Sequence, residues 1–509
     1  MRILLWHGWR LEGSGSNVFT ARVARELRER GHDVLLLCQE QHPERSAFID
    51  AWGVVDGGGV SELRPTLAEP AAGRVVALRP LIGSVLPVFV IDEYEGFDRV
   101  ERFVDLSNDE LGAYLDRNIR ALNAAVEWHG SEVIIAGHAI PGPIVSRRAL
   151  GPGRYVAAVH GSDLVYAITQ QHRYAELARE GLEGAIAVVG ATDDVLARAC
   201  AVAPAIAART RVVFAGVDVG QFRPKPRAAA LTEVAKLLAA HSETARGRPA
   251  SLDAEIDRAL VARQTTALDA LAHRYDQTVP DPDVSARLAR LASYQGPLVG
   301  YFGKLMLQKG VERLLEGLAL LAPRTRGVIV GSGLFREWLE ALAIALDRGD
   351  AAAARWLADM SGMQLDLESE TAAPSGLLRC LDFTGFLDHG YAPYVLAALD
   401  ILVVPSTVKE AFGMVAAEGA AAGALPLVAR HSGLAEVAAH LEDAVDRPGL
   451  LSFEPGHGAT RRLVAGIERI QGLPPVERSS LRRKVAAYVA SEWTWARTVD
   501  RLLAAAGNV

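Results

Sequence analysis

The chain is poor in cysteine, in aromatic residues and in long apolar runs, and each shortage removes a class of protein. Three cysteines, Cys38, Cys200 and Cys380, lie far apart in 509 residues and form no metal-ligand spacing. A disulfide-stapled scaffold is excluded, and so sparse and odd a set fits a reducing cytoplasm. The longest apolar stretch, LIGSVLPVFVI (81–91), contains Gly and Pro and stops at Asp92, well short of the ~20 residues a spanning helix needs. The opening MRILLWHGW has no cleavage-site pattern and reads as a strand rather than a signal peptide. A soluble, cytoplasmic protein is expected, with membrane contact at most peripheral. Positive charge is not in excess either. The formal net charge is −7, with acids and bases interspersed, so nothing supports a nucleic-acid surface.

What is present is a double series of strands and helices. Apolar runs at 2–6, 33–38, 132–137, 154–161, 185–190 and 211–216 alternate with amphipathic stretches such as SNVFTARVARELRERG, and the pattern restarts at 298–303, 327–331, 381–385, 400–406 and 425–429. Uninterrupted apolar strands between helices indicate parallel sheet covered on both faces. At this length one core is not expected. The prediction is an α/β protein of two doubly wound Rossmann-like domains facing across a cleft: 1–216, then a linker and helical insertion at 217–297, then 298–485, then a C-terminal helix at 486–509. The polar, helix-periodic segments at 224–295 and about 345–377 read as insertions with one buried face. The first is expected to pack beside the cleft and shape the acceptor side.

The segment VPSTVKEAFGMVAAEGAAAGALPLV (404–428) is almost wholly apolar or small, yet holds Glu410 and Glu418. A buried, unpaired carboxylate is expensive to desolvate, so the pair calls for partners or a ligand. Glu410 is placed in the loop at the carboxyl end of a strand, and Glu418 about two turns into a helix of small residues. That edge of an open α/β sheet is where ligands bind. The backbone N–H groups of Ala411, Phe412, Gly413 and Met414 would seat hydroxyl or phosphate oxygens there.

EAFGMVAAE resembles the E-x7-E signature of the retaining glycosyltransferases of family four, which have the GT-B fold. The resemblance implies that Glu410 meets the donor sugar and Glu418 holds the nucleotide ribose. LVGYFGKLMLQKG (298–310) resembles the segment whose two cations grip the donor diphosphate, which points to Lys304 and Lys309. Lysine stands at the first position where arginine is expected, a point charge in place of a bidentate fork. VIVGSGLFREWLE, DFTGFLDHGYAPYVLAALDILVVPS and HSGLAEV follow in the family's order. In the first half, HGWRLEGSGSNVFTARVAREL (7–27) resembles the family's glycine-rich loop, so the amides of Gly13, Ser14, Gly15 and Ser16 are implied donor contacts. By itself that G-x-G is a plain turn, since position 18 is Val and the dinucleotide fingerprint is incomplete. HGSDL (160–164) resembles the position where a histidine touches the donor sugar, which implies a catalytic role for His160. FAGVDVGQFRP resembles the crossing segment and SEWTWARTVDRLL the terminal helix. Neither insertion resembles the family.

The resemblance implies a metal-independent hexosyltransferase. It needs no cofactor and takes a nucleotide-diphosphate sugar as donor and a small-molecule or glycan hydroxyl as acceptor. A nucleotide-sugar epimerase of the same architecture and a non-catalytic sugar-nucleotide binder remain as rivals. Asp281 and Asp283 form a D-x-D, but they precede a helix and read as ordinary N-terminal residues rather than metal ligands. Arg22, Arg25, Arg28 and Arg30 read as a solvated helix face rather than a lipid-docking one.

Overall fold

The computed structural model describes residues 1–91, 94, 96–366 and 375–507, so the stretch 367–374 of the expected second insertion lies outside the described residues. The chain divides into two compact units, Met1–Gly216 with Trp493–Val509, and Val217–Glu492. No described helix is long and apolar enough to cross a membrane.

The described residues of the first unit form eleven strands: β1 (Arg2–Trp6), β2 (Asp33–Leu37), β3 (Ala51–Asp56), β4 (Gly59–Pro65), β5 (Arg74–Pro80), β6 (Val85–Val88), β7 (Arg99–Arg102), β8 (Val133–Gly137), β9 (Val156–Val159), β10 (Val188–Gly190) and β11 (Thr210–Val212). Nine of them form one sheet in the order β11-β10-β9-β8-β1-β2-β5-β3-β4, while β6 pairs with β7. Pairing is parallel throughout the large sheet except at β3–β4. Leu4 of β1 and Leu36 of β2 are fully buried, as strands covered by helices on both faces must be. β3 to β7 were not among the expected strands.

Helix Gly15–Glu29 begins where Ser14 caps it by accepting from the Asn17 amide. Arg25 lies exposed beside Glu29, as a solvated face requires, but Arg28 and Arg30 depart from that expectation. Arg28 is buried, and its Nε and Nη2 donate to the two Asp50 carboxylate oxygens at 2.8 Å. Arg30 donates to Glu26 and to Asp500 of the terminal helix Trp495–Ala506. Arg28 and Arg30 therefore tie their helix to the loop before β3 and to the chain's last helix, which belongs to this first unit.

The second unit carries β12 (Leu298–Phe302), β13 (Arg326–Val330), β14 (Leu381–Phe383), β15 (Ile401–Val404), β16 (Leu425–Ala429) and β17 (Ser452–Phe453), all parallel, in the order β14-β13-β12-β15-β16-β17. The order reverses at β12, a doubly wound arrangement whose switch lies between β12 and β15. Ile401, Leu402 and Val403 are fully buried, each worth about 1.5–3 kcal/mol relative to exposure. Helix Met414–Ala422 covers β15 with a face of buried alanines, small enough for backbone to approach sheet. The first insertion forms helices Arg227–Ala239, Leu252–Val261, Thr265–Ala272 and Val284–Ala292, whose Leu231, Val234, Ile256, Leu268 and Leu288 are buried.

Candidate functional site

In the second unit, β15 ends at Val404 and the chain turns through Pro405 to Gly413 before the next helix. Glu410 lies in this loop, as expected. Lys309, in the loop after β12, donates from Nζ to Glu410 Oε1 at 2.6 Å, and Ser406 Oγ donates to the same oxygen at 2.9 Å. The Glu410 amide donates to Ser432 Oγ at 3.0 Å. Ser432 lies 3.1 Å from His431 Nδ1, while His431 Nε2 donates to the Ser406 carbonyl at 2.6 Å. That last bond fixes the proton on Nε2 and leaves Nδ1 to accept from the Ser432 hydroxyl. A closed ring thus runs Ser406, Glu410, Ser432, His431 and back. Ser432 adopts φ +48, a left-handed conformation that a non-glycine residue holds only when its surroundings over-determine it. At Gly433 a Cβ would come within 2.4 Å of the Ala411 carbonyl oxygen, so only glycine lets the two segments approach. Ser406, His431 and Ser432 had no role in the sequence reading, although HSGLAEV was among the matched segments.

Glu418 is buried, and its Oε1 lies 3.4 Å from Nε2 of His389 in the loop after β14. The helix carrying it starts at Met414, after Gly413 in a left-handed conformation that favours glycine. Glu418 is therefore little more than one turn in, and Ala411 and Phe412 belong to the loop. Lys304 is exposed, in the turn where Tyr301 Oη donates to its carbonyl at 2.8 Å. The second sheet's edge thus gathers Lys304, Lys309, Glu410, Ser406, His431 and Glu418: two cations, two carboxylates and several hydrogen-bonding groups.

The first unit's sheet edge is different. His7, His138 and His160 follow the neighbouring strands β1, β8 and β9. The His138 and His160 ring centroids are 4.8 Å apart, those of His7 and His138 5.9 Å, and Trp9, Phe89 and Phe19 pack against them. Burial pushes His7 down to about 4 and, with a contribution from His7, His160 down to about 3. His138 is lowered by the same cause. All three are neutral at ordinary pH. His138 stands at φ +68 with both ring nitrogens buried and, among the described residues, without a hydrogen-bond partner. Asp163, fully buried, accepts from the Ala139, Ile140 and Leu164 amides and so holds the turn carrying His138. The Gly13–Ser16 turn is largely exposed at the start of its helix.

Asp281 and Asp283 are not together in a ligand set. Both Asp281 oxygens accept from Arg336 at 2.7 Å, while Asp283 pairs with Arg287 at 2.8 Å. Among the described residues no cluster of His, Cys, Asp and Glu could hold a metal ion.

Residues 355–470 match the family model of glycosyl transferases group 1. The match takes in Glu410, Glu418 and part of the second insertion, and leaves Lys304, Lys309 and the first unit outside. Two Streptomyces kanamyceticus proteins are similar over part of their length. An alpha-D-kanosaminyltransferase is 30% identical over 147 residues, 28% of this chain and 31% of its own. A 2-deoxystreptamine glucosyltransferase is 30% identical over 131 residues, 25% of this chain and 26% of its own. The matched part is thus about a third or less of these curated relatives. Over the whole chain, the structure resembles sucrose-phosphate synthase from Thermosynechococcus elongatus, with TM-score 0.58, 16% identity and 99% and 97% of the two chains covered. It also resembles Anabaena HepE in complex with UDP and glucose, with TM-score 0.58, 15% identity and full coverage of both chains. The fold is GT-B.

Proposed function

We propose that the chain is a retaining, metal-independent glycosyltransferase of the family-four type. It would move a sugar from a nucleotide-diphosphate sugar to a hydroxyl acceptor in the cytoplasm. The observation that carries this reading is the meeting of Lys309 and Glu410 at 2.6 Å on the carboxyl edge of the second sheet, with Glu410 in a segment similar to group 1 glycosyl transferases. Lys309 is held ready by Glu410 before any ligand arrives, so an incoming diphosphate shares a cation already in position. In the reaction the bond between the anomeric carbon and the diphosphate oxygen breaks, and the acceptor oxygen bonds to the same face. The acceptor proton passes to the departing diphosphate. No side-chain nucleophile is required, and catalysis rests on positioning and on stabilising the leaving charge. Lys304 and Lys309 meet that charge, Glu410 and the amides of Ala411 to Met414 orient the sugar, and Glu418 accepts from the ribose hydroxyls. His160 and the Gly13–Ser16 amides are the groups proposed to engage substrate in the first unit, with His160 acting as a neutral imidazole.

Incubation with a panel of UDP, GDP and ADP sugars, following free nucleoside diphosphate, tests the reading. Release that rises when a hydroxyl acceptor is added is expected. Interconversion of the sugars would show an epimerase instead, and binding without turnover a scaffold.

A further inference from the structure

The first insertion, expected beside the cleft on the acceptor side, belongs to the second unit and is anchored on that unit's own sheet. Its turn at Gln277–Asp281 sits on the carboxyl edge of the second sheet, against the loops that leave β13 and β14. Gln277 Oε1 accepts from the Gly333 amide at 3.0 Å. The Asp281 amide donates to the Thr384 carbonyl at 3.0 Å. Pro280 and Gly331 both bridge to Gly385, and the Gly331 amide donates to the Gly385 carbonyl at 3.0 Å. A Cβ at Gly385 would stand 2.5 Å from Asp281 Oδ1 and 2.8 Å from its amide nitrogen, so the insertion is seated directly on this loop.

The seat is secured by buried charge. Arg336, 1% exposed and opening the helix that follows the Gly333 loop, holds fully buried Asp281 through two parallel bonds of 2.7 Å. Arg287 of the insertion donates to Asp281 Oδ2 at 3.1 Å and to the Phe383 carbonyl at the end of β14. Tyr275 donates to Glu337 at 2.7 Å, and Arg248 donates to Glu340. The backbone after β13 and after β14 is thus fixed by the insertion rather than by the sheet alone.

These loops adjoin the proposed ribose seat. Glu418 faces His389 across 3.4 Å, and His389 lies only a few residues beyond Phe386 in the β14 loop. With the diphosphate at the β12 loop and the ribose at Glu418, the remaining part of a nucleotide falls towards β14 and β13. There Leu334 and Phe386 present exposed apolar side chains of the kind a flat heterocycle covers.

We propose that the insertion is a donor-side element that sets which nucleobase the protein accepts. Gln277 and Asp281 are positioning residues that act through the loops Gly331–Leu334 and Thr384–Phe386. The inference rests on the nucleotide-sugar reading above and adds to it the part of the chain that discriminates the base.

The test is calorimetry of UDP, GDP and ADP with the full-length protein and with Gln277→Ala, Phe386→Ala and Lys309→Ala. Wild type is expected to prefer one base. Gln277→Ala should shrink that preference about two- to tenfold, the range of one neutral hydrogen bond. Lys309→Ala should weaken all three ligands alike and leave their ratio unchanged. Phe386 is exposed, so its variant tests the loop even if Gln277→Ala proves unstable, and it too should narrow the ratio. An unchanged ratio in both loop variants overturns the proposal while leaving the donor reading intact. A raised acceptor KM with an unaltered base ratio would return the insertion to the acceptor side. Wild type that binds none of the three overturns the donor reading, and the proposal with it.

Discussion

At the carboxyl edge of the first sheet, three imidazoles and a cluster of aromatic rings are packed until burial keeps every ring neutral. At the equivalent edge of the second sheet, Lys309 donates to Glu410 at 2.6 Å, and Glu418 lies within reach of His389. Both edges are the carboxyl ends of parallel strands, and their chemistry is opposite. Neutral rings suit contact with an uncharged, hydroxyl-rich group, and an anion placed there would gain no counter-charge from them. The second edge can meet an anion and orient hydroxyls together. The doubly wound sheet supplies the location in both units, and the residues placed after the strands decide what each edge can do.

The sharpest way to break the comparison is to remove charge from the second edge. Glu410→Ala and Lys309→Ala are each expected to lower kcat by about 10²–10³-fold, the scale of losing a group that positions or stabilises the reacting centre. Glu410→Ala should lower turnover more than nucleoside-diphosphate affinity, because its proposed partner is the sugar. If free nucleoside diphosphate lost as much affinity as the intact donor, that assignment would fail. Glu418→Ala should act on binding instead. A charge-assisted bond is worth about 1.5–3 kcal/mol, so donor affinity should fall roughly 10- to 150-fold in calorimetry. Unchanged affinity would remove Glu418 from the site.

How far these assignments could be read beforehand depended on the distance between partners. β12, β15 and β16 are short continuous apolar runs, which is why the second sheet was legible. β4 is GVSELRP, mostly exposed, and its apolar content is too low to register. The Asp56-Gly57-Gly58 turn between β3 and β4 is a hairpin signal that, given weight, would have revealed the pair. Glu410 and Glu418 stood out because a carboxylate in an apolar segment is conspicuous. His138 did not, since a single histidine after a strand is ordinary and its missing partners are visible only in three dimensions. Arg28 and Asp281 were misplaced or undervalued for the same reason. Asp281 meets Arg336 across 55 positions of chain, and no local pattern reports such a pairing.

Acidity should move the two units in opposite directions. In the first, His7 and His160 titrate near 4 and 3 when folded, whereas their ordinary value is 6.5. The unfolded chain therefore binds more protons below about 6.5, and the stability present above that pH is lost as pH falls. In the second, burial raises Glu312 and Glu337 to about 7 and Glu316 to about 6, against an ordinary 4.5. Glu337 is faced by Glu340, Arg336, Arg248 and Tyr275, and Glu312 by Arg313 and Glu316. Here the folded state binds more protons, so stability present below 4.5 is lost as pH rises towards 7. Native-state hydrogen exchange should show protection of β1, β8 and β9 falling between pH 7 and pH 5. Over the same interval, protection of helices Val311–Leu321 and Arg336–Arg348 should rise. Parallel changes in both units would mean that the burial contrast does not govern their stability.

The smallest expected effect is none at all, on removing divalent metal. The charge of a departing diphosphate is assigned to Lys304, Lys309 and backbone amides, all supplied by the chain itself. The D-x-D of Asp281 and Asp283 is otherwise engaged. Asp281 is fully buried with both oxygens on Arg336, and Asp283 pairs with Arg287. Drawing Asp281 out to a cation would leave the two terminal nitrogens of buried Arg336 without the carboxylate they share, with only Glu340 remaining at Nε, and removing one member of a buried pair costs about 3–5 kcal/mol. Full activity is therefore expected in excess EDTA, with no gain on adding magnesium or manganese. A metal requirement would have to be met by groups other than this pair, and it would shift the neutralisation of the leaving group away from the two lysines. Lys309→Ala would then lose far less than the 10²–10³-fold expected of it, so the EDTA experiment and that variant check each other.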